Sequence, residues 1–151
     1  MLDEIDRRIL RVLQKNGRVT NQDLANSVHL SPAACLQRHR RLKKLGYVVG
    51  YSATVDPIKT GWSLLVFIEV LLDRTNGDVF KDFAGAVNTI PEIQECHMVA
   101  GGFDYLIKAR MRDMGAYRKF LGETIMAIKG VRETRTYAVI EEVKATLTLP
   151  I

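Results

Sequence analysis

Through residues 1–46 the apolar positions recur at helical intervals, and from residue 64 onward strand-like runs take turns with helical stripes. Ile5, Ile9, Val12 and Leu13 line one face of a first helix that Asp3 can cap and that runs to about Asn16, with Gly17 as its stop. Thr20 or Asn21 opens a second helix, with Asp23 near the reciprocal capping position and Leu24 and Val28 on its buried side. Val28-His29-Leu30-Ser31 turns into a third helix. There Ser31 can take an orphan N–H and Pro32 suits the first helical position. Cys35, His39, Leu42 and Leu45 fall at helical spacing and are expected to face inward, and Gly46 ends the helix. Three helices with a four-residue turn between the last two predict a helix-turn-helix. His29 sits where such a turn often uses glycine; a left-handed backbone there would cost roughly 1–2 kcal/mol.

Tyr47–Val55 alternates loosely around Gly50, which suggests a small β wing leading into a strand, and Asp56–Gly61 is the break in composition. Leu64–Leu72 reads as a nearly continuous apolar strand, hence one covered on both faces. Asp78–Asn88 is an amphipathic helix with Val79, Phe83 and Val87 inward. Ile93–Ala100 and Tyr105–Arg110 are strands joined by the hairpin signal Gly101-Gly102-Phe103-Asp104. Asp113 caps a helix with Met114, Tyr117, Leu121, Ile125 and Ile128 on one stripe and Gly130 at its close. Val131–Ile140 and Val143–Leu149 are the closing strands, and Glu141-Glu142 reads as a solvated strand end. The expected class is α+β: a winged helix-turn-helix over 1–50, a linker strand and hinge over 51–63, and a ferredoxin-like βαββαβ domain over 64–151.

Charge separates the halves. Residues 1–50 hold ten Lys and Arg against four Asp and Glu, whereas the remaining 101 hold twelve against thirteen. A polyanion partner is therefore expected for the first part and a different task for the second. The longest apolar run is interrupted by Glu69 and falls short of a membrane span. The opening residues are charged where a secretory leader would be apolar, and the two cysteines, Cys35 and Cys96, form no Cys-x-x-Cys pair. These features point to a cytoplasmic protein with buried free thiols and no membrane partner.

The third helix carries five cations between Arg38 and Lys44. Gln37, Arg38 and Arg41 are placed opposite the inward stripe, with Ala34 near the leading end beside Ser31. Arg can bond guanine and Gln adenine bidentately. Arg40, Lys43, Lys44 and Thr20 are better placed for phosphates, which position without specifying. His39, on the inward stripe, reads as a half-buried imidazole bonded locally. Gly101-Gly102-Phe103-Asp104 is open to two readings. It is either a plain hairpin turn, or a turn whose bare amides meet a ligand carboxylate while Asp104 holds its ammonium. An amino acid has both groups, and Met98, Met114, Tyr137, Ala138 and Val139 can line a pocket for its side chain or serve as core. Cys96 and His97, adjacent on a strand, point to opposite faces and do not make a metal site. There is no Ser/His/Asp set, phosphate-binding glycine loop or HExxH motif, so no catalytic residue and no cofactor is expected.

Several runs together resemble the leucine-responsive regulatory protein/asparagine regulator (Lrp/AsnC) family, and its leucine-responsive branch most closely. They are Leu2–Leu10, Asn16-Gly17-Arg18, Leu30-Ser31-Pro32, Leu64–Val70, Glu92–His97, Gly102–Leu106, Ala116–Lys119 and Thr134–Tyr137. The resemblance implies a transcription factor with an N-terminal winged helix-turn-helix for double-stranded DNA. It also implies a ferredoxin-like domain that dimerises, stacks dimers into octamers and binds an amino acid between dimers. Carried over by position, Met98, Asp104, Met114, Tyr137, Ala138 and Val139 match positions tied to leucine response, and Gly101 and Gly102 the ligand-facing turn. His29, His39, Gly102 and Ala138 depart from the family's usual residues; the last two enlarge or neutralise the inferred pocket, so the expected effector is leucine or another apolar amino acid. An architectural DNA binder without effector would share the N-terminal features. Haem-precursor decarboxylases resemble the two-domain plan but have no need of a basic third helix.

Overall fold

A computed structural model describes residues 1–75 and 77–151. The chain divides into two compact units, residues 1–54 with 144–151, and residues 55–143.

The first unit is built on α1 (Glu4–Lys15), α2 (Asn21–Ser27) and α3 (Pro32–Lys44). Their starts follow from side chains that satisfy the orphan N–H groups of a first turn. Asp3 and Asp6 form a reciprocal capping box on α1, the Thr20 hydroxyl accepts the Asp23 amide at 3.1 Å, and Ser31 accepts the Ala34 amide at 3.3 Å. The end of α3 is equally defined. Gly46 adopts φ +78°, its amide donates to Lys43, and the Tyr47 amide donates to Leu42, which is a Schellman closure. Ile9, Leu10, Leu13, Leu24, Ala25, Val28, Cys35 and Leu42 make the core. Leu45, expected inside, is 61 % exposed because it is the cap where the chain turns out of the helix. In the turn between α2 and α3, His29 is left-handed at φ 58°.

Residues 47–55, expected as a wing, form no strand in this chain. Alternation needs a neighbouring strand, and none is present here; Val48 packs on the core instead and Tyr51 lies against Gly17. The segment 143–149, expected as a strand, also lacks a ladder partner. Part of it joins α1 of the first unit. The Gln14 side-chain amide donates to the Leu149 carbonyl at 3.2 Å and accepts the Leu149 amide at 2.6 Å, and Arg11 donates to the Ile151 carbonyl.

The second unit contains β1 (Leu64–Leu72), α4 (Val79–Val87), β2 (Ile93–Met98), β3 (Tyr105–Met111), α5 (Met114–Phe120) and β4 (Val131–Ala138). The sheet is antiparallel between neighbours in the order β2-β3-β1-β4, the split βαβ arrangement expected. Both crossovers place their helices against one face, where Val66, Ile68, Val70 and Leu72 meet Val79, Phe83, Tyr117 and Phe120. Phe67, Glu69 and Leu71, on the other face of β1, stay partly exposed, so cover on both faces is not achieved within one chain.

Four details depart from the expected pattern. The helix after Asp113 gives way at Leu121–Ile125 to a π turn, seen in the bond from the Met126 amide to the Leu121 carbonyl. The extra residue brings Phe120 and Ile125, five apart, into the same core. Met114, at the start of the stripe, is 56 % exposed. The hairpin after β2 spans residues 99–104, and neither Gly101 nor Gly102 takes positive φ, so the tight primed turn is not formed. Glu142 is not a solvated strand end but pairs with Arg110 at 2.6 Å.

Two substitutions test this backbone. His29→Gly should raise the denaturation midpoint of the first unit, a gain of about 1 kcal/mol after the added freedom of the unfolded chain is allowed for; an unchanged midpoint in urea would argue against strain. Gly130 has φ +93°, and a Cβ there would lie 2.2 Å from a Val79 methyl. Gly130→Ala should therefore cost the second unit about 2 kcal/mol or more, read in the same titration.

Candidate functional site

On α3 the buried Cys35 and Leu42 fix which side chains reach solvent. Burial pushes the Cys35 thiol pKa up, as suits an inert core cysteine. His39 is half-buried, its Nε2 2.6 Å from the Tyr51 hydroxyl; burial and then the nearby Lys43 ammonium push its pKa below the ordinary value. The imidazole is thus a local packing group, as its position on the inward stripe implies. Lys43 lies over the Tyr51 ring at 5.6 Å.

Gln37, Arg40 and Lys44 are exposed opposite that core, with no ion pair among the described residues. Arg38 and Arg41 are placed differently from the expectation. Arg38, one turn before Leu42, stands beside the core face and not opposite it, and both side chains reach toward α1, where Asp3 and Asp6 pair with them. Arg38 Nη1 is 2.5 Å from Asp3 and 2.9 Å from Asp6, and Arg41 Nη2 is 2.5 Å from Asp6. These pairs and hydrogen bonds to the charged form hold the Asp3 carboxyl below its usual range, the Arg38 bond first. Thr20 and Ser31 stand at the exposed starts of α2 and α3 with their hydroxyls in the caps, and Ala34 is half-buried in the first turn of α3. Asn21, the first residue of α2, also ties α2 to α3, its side-chain amide donating to the Pro32 carbonyl at 2.8 Å, a contact that its capping position does not announce. Asp6 is the other unanticipated residue, and its only sequence signal is a carboxylate at the head of the apolar stripe of α1.

In the second unit the expected effector residues fall into two groups. Met98 pairs with Tyr105, which pairs with Val70, so Met98, Gly101, Gly102 and Asp104 gather at one end of the sheet on the β2 edge. Ala138 pairs with Val66 on the opposite edge, and Tyr137, Ala138 and Val139 lie at the other end, where Met111 of β3 leads toward Met114. Strand spacing puts the two groups roughly 20 Å apart. Met98, Met114 and Tyr137 are exposed, so these residues enclose no pocket within one chain. Tyr137 donates to Glu69 at 3.0 Å.

Asp104 is 3 % exposed and already engaged: one oxygen accepts the Leu72 amide at 2.8 Å and the other the Arg74 guanidinium. Burial raises its pKa, but the Leu72 amide and Arg74 outweigh this and the net shift is downward. A ligand ammonium would have to share this carboxylate or displace Arg74. Arg74, not anticipated, lines an open cleft of about 520 Å³ with Leu71, Thr75 and Arg132.

Known proteins place both units. Residues 2–49 match the winged helix-turn-helix DNA-binding domain, and residues 65–149 match the Lrp/AsnC ligand binding domain. The leucine-responsive regulatory proteins of Escherichia coli K12 and Salmonella typhimurium are 53 % identical over 150 residues, covering 99 % of this chain and 92 % of each relative. Among solved structures, a transcriptional regulator of Neisseria meningitidis in complex with L-Met superposes with TM-score 0.96 at 38 % identity, covering 99 % of this chain and 97 % of that one. An AsnC family regulator of Agrobacterium tumefaciens gives 0.94 at 30 %, with the same coverage. With a DNA-binding helix-turn-helix in one unit and a ligand-binding sheet in the other, the chain belongs to the Lrp/AsnC family of transcriptional regulators, which are not enzymes.

Proposed function

We propose that this regulator responds to an apolar amino acid, leucine or one like it, at a site completed between copies of the chain. The separation of the candidate effector residues into two corners of one sheet carries the reading. Met98 and the 101–104 hairpin of one copy could enclose a small ligand together with Met114, Tyr137, Ala138 and Val139 of another, whereas one copy cannot. The name of the Escherichia coli relative and the L-Met bound to the Neisseria meningitidis protein support an apolar amino acid. Binding between copies would bias assembly by its differential affinity for each oligomer, dimers and octamers included. The protein would act on DNA in the cytoplasm. Base edges would meet Gln37, Arg38 and Arg41, the phosphates Thr20, Arg40, Lys43 and Lys44, and Ser31 and Ala34 would lie against the DNA at the leading end of α3. Several helix-turn-helix units on one particle would add avidity.

Light scattering with each amino acid in turn tests the assembly. A change of mass with leucine or methionine, absent with charged amino acids, is the expected result. Asp104→Asn, which can still accept the Leu72 amide, should remove the response and leave DNA affinity near wild type. No change of mass and no thermal shift with any amino acid would instead make the protein an effector-independent architectural binder.

DNA binding should weaken steeply with salt through counterion release. Arg40→Ala and Lys44→Ala should each weaken binding to all duplexes and lower the salt slope by about one. Gln37→Ala should cost roughly 1–3 kcal/mol on preferred duplexes alone. Fluorescence anisotropy over a range of KCl concentrations reads all three, and a flat salt profile would refute the assignment.

A further inference from the structure

Asp6 is fully buried, and it heads the stripe that continues through Ile9, Leu10 and Leu13. An apolar side chain would be the ordinary occupant of such a position, and a carboxylate persists there only if its charge is paired. Helix capping accounts for part of its contacts, through the Asp3 amide at 3.3 Å. The shorter contacts run to α3: Arg38 Nη1 at 2.9 Å on one oxygen and Arg41 Nη2 at 2.5 Å on the other. Asp3 adds a second carboxylate to the same Arg38 nitrogen.

Each arginine spends a single terminal nitrogen on these bonds. Among the described residues, Nε and the other terminal nitrogen of both make no hydrogen bond. The Arg38 side chain keeps 29 % of its surface in solvent and Arg41 keeps 50 %. A guanidinium is a planar, rigid fork, so anchoring one corner sets the direction of the free edge. Long side chains ordered in advance also take less conformational freedom from the binding step.

We infer that Asp6, supported by Asp3, is a positioning residue that sets DNA sequence specificity by holding the free edges of Arg38 and Arg41 in one orientation toward the duplex. This rests on the reading above that the two arginines meet base edges.

Charge makes the test decisive. Asp6→Asn removes a buried negative group from beneath the recognition surface, so Coulomb attraction alone would tighten binding to every duplex and leave preference unchanged. Positioning requires a different result. The full chain is titrated with duplexes that the wild-type protein enriches from a random pool, and with an unrelated duplex of equal length. The ratio of the two affinities should fall by about tenfold or more, while the unrelated duplex is held as tightly or more tightly. Asp6→Glu, which keeps the charge, should recover part of the ratio. Partial misfolding cannot mimic this, because it withdraws active protein from both titrations equally.

If Asp6→Asn does not fold, Asp3→Asn carries the test, since asparagine still caps α1 and only one carboxylate is taken from Arg38. The ratio should then fall by a smaller factor. An unchanged ratio in the folded Asp6 variant, or in Asp3→Asn where that variant fails, overturns the inference. Arg38→Ala and Arg41→Ala separate the two levels. If neither shifts the ratio, the arginines do not read bases; if either does while the aspartate variants do not, only the positioning role is lost.

Discussion

The register of the sheet depends on β1, whose backbone is bonded to β3 on one side and β4 on the other. A slip of one residue would exchange Val66, Ile68 and Val70 for Phe67, Glu69 and Leu71 in the core. Burial of the first set against α4 and α5 resists that slip, and at the end of β1 the Asp104 carboxylate holds the Leu72 amide. Asp104 thus fixes the 99–104 hairpin to the central strand. The hairpin residues named as effector contacts are tied to the central strand by a bond that reinforces its register.

In the first unit the same logic is written in charge. The basic surface of α3 is not uniform: Gln37, Arg40 and Lys44 extend into solvent, Lys43 rests on Tyr51, and Arg38 and Arg41 lean on α1. A helix of one net sign therefore presents three kinds of donor, with very different freedom. Free cations suit phosphates, whose oxygens accept from many directions, and held guanidiniums suit base edges, which accept from few.

Much of this was legible in the residues, for local reasons. Asp3, Thr20, Ser31 and Asp113 cap helices, Gly46 and Gly130 mark where two of the helical stretches end, and the apolar periods place every strand of the βαββαβ unit. What could not be read there depends on distant partners. On α3, Arg38 stands one turn before Leu42 and two before Leu45, so helical spacing sets it beside the inward stripe and not opposite it, and the length of its side chain takes it to α1. No local pattern announces that Asp6 will draw it to α1. Residues 47–55 and 143–149 alternate as strands do, but alternation does not supply a neighbour. The π turn hid within a stripe that looks α-helical. The effector residues were individually plausible, and only strand register shows that they lie at opposite corners.

The bonds between Gln14 and Leu149 also bear on how the protein is made. A ribosome releases residues 1–54 first, yet the unit they form takes its remaining segment from residues 144–151. The buried core of the first unit lies within residues 9–42, but the Gln14–Leu149 bonds can form only after the whole βαββαβ unit has been synthesised. Domains generally fold in the order they emerge. Here the part that emerges first is the last to be completed, so a nascent chain would acquire its full DNA-binding unit only after the ligand-binding unit exists.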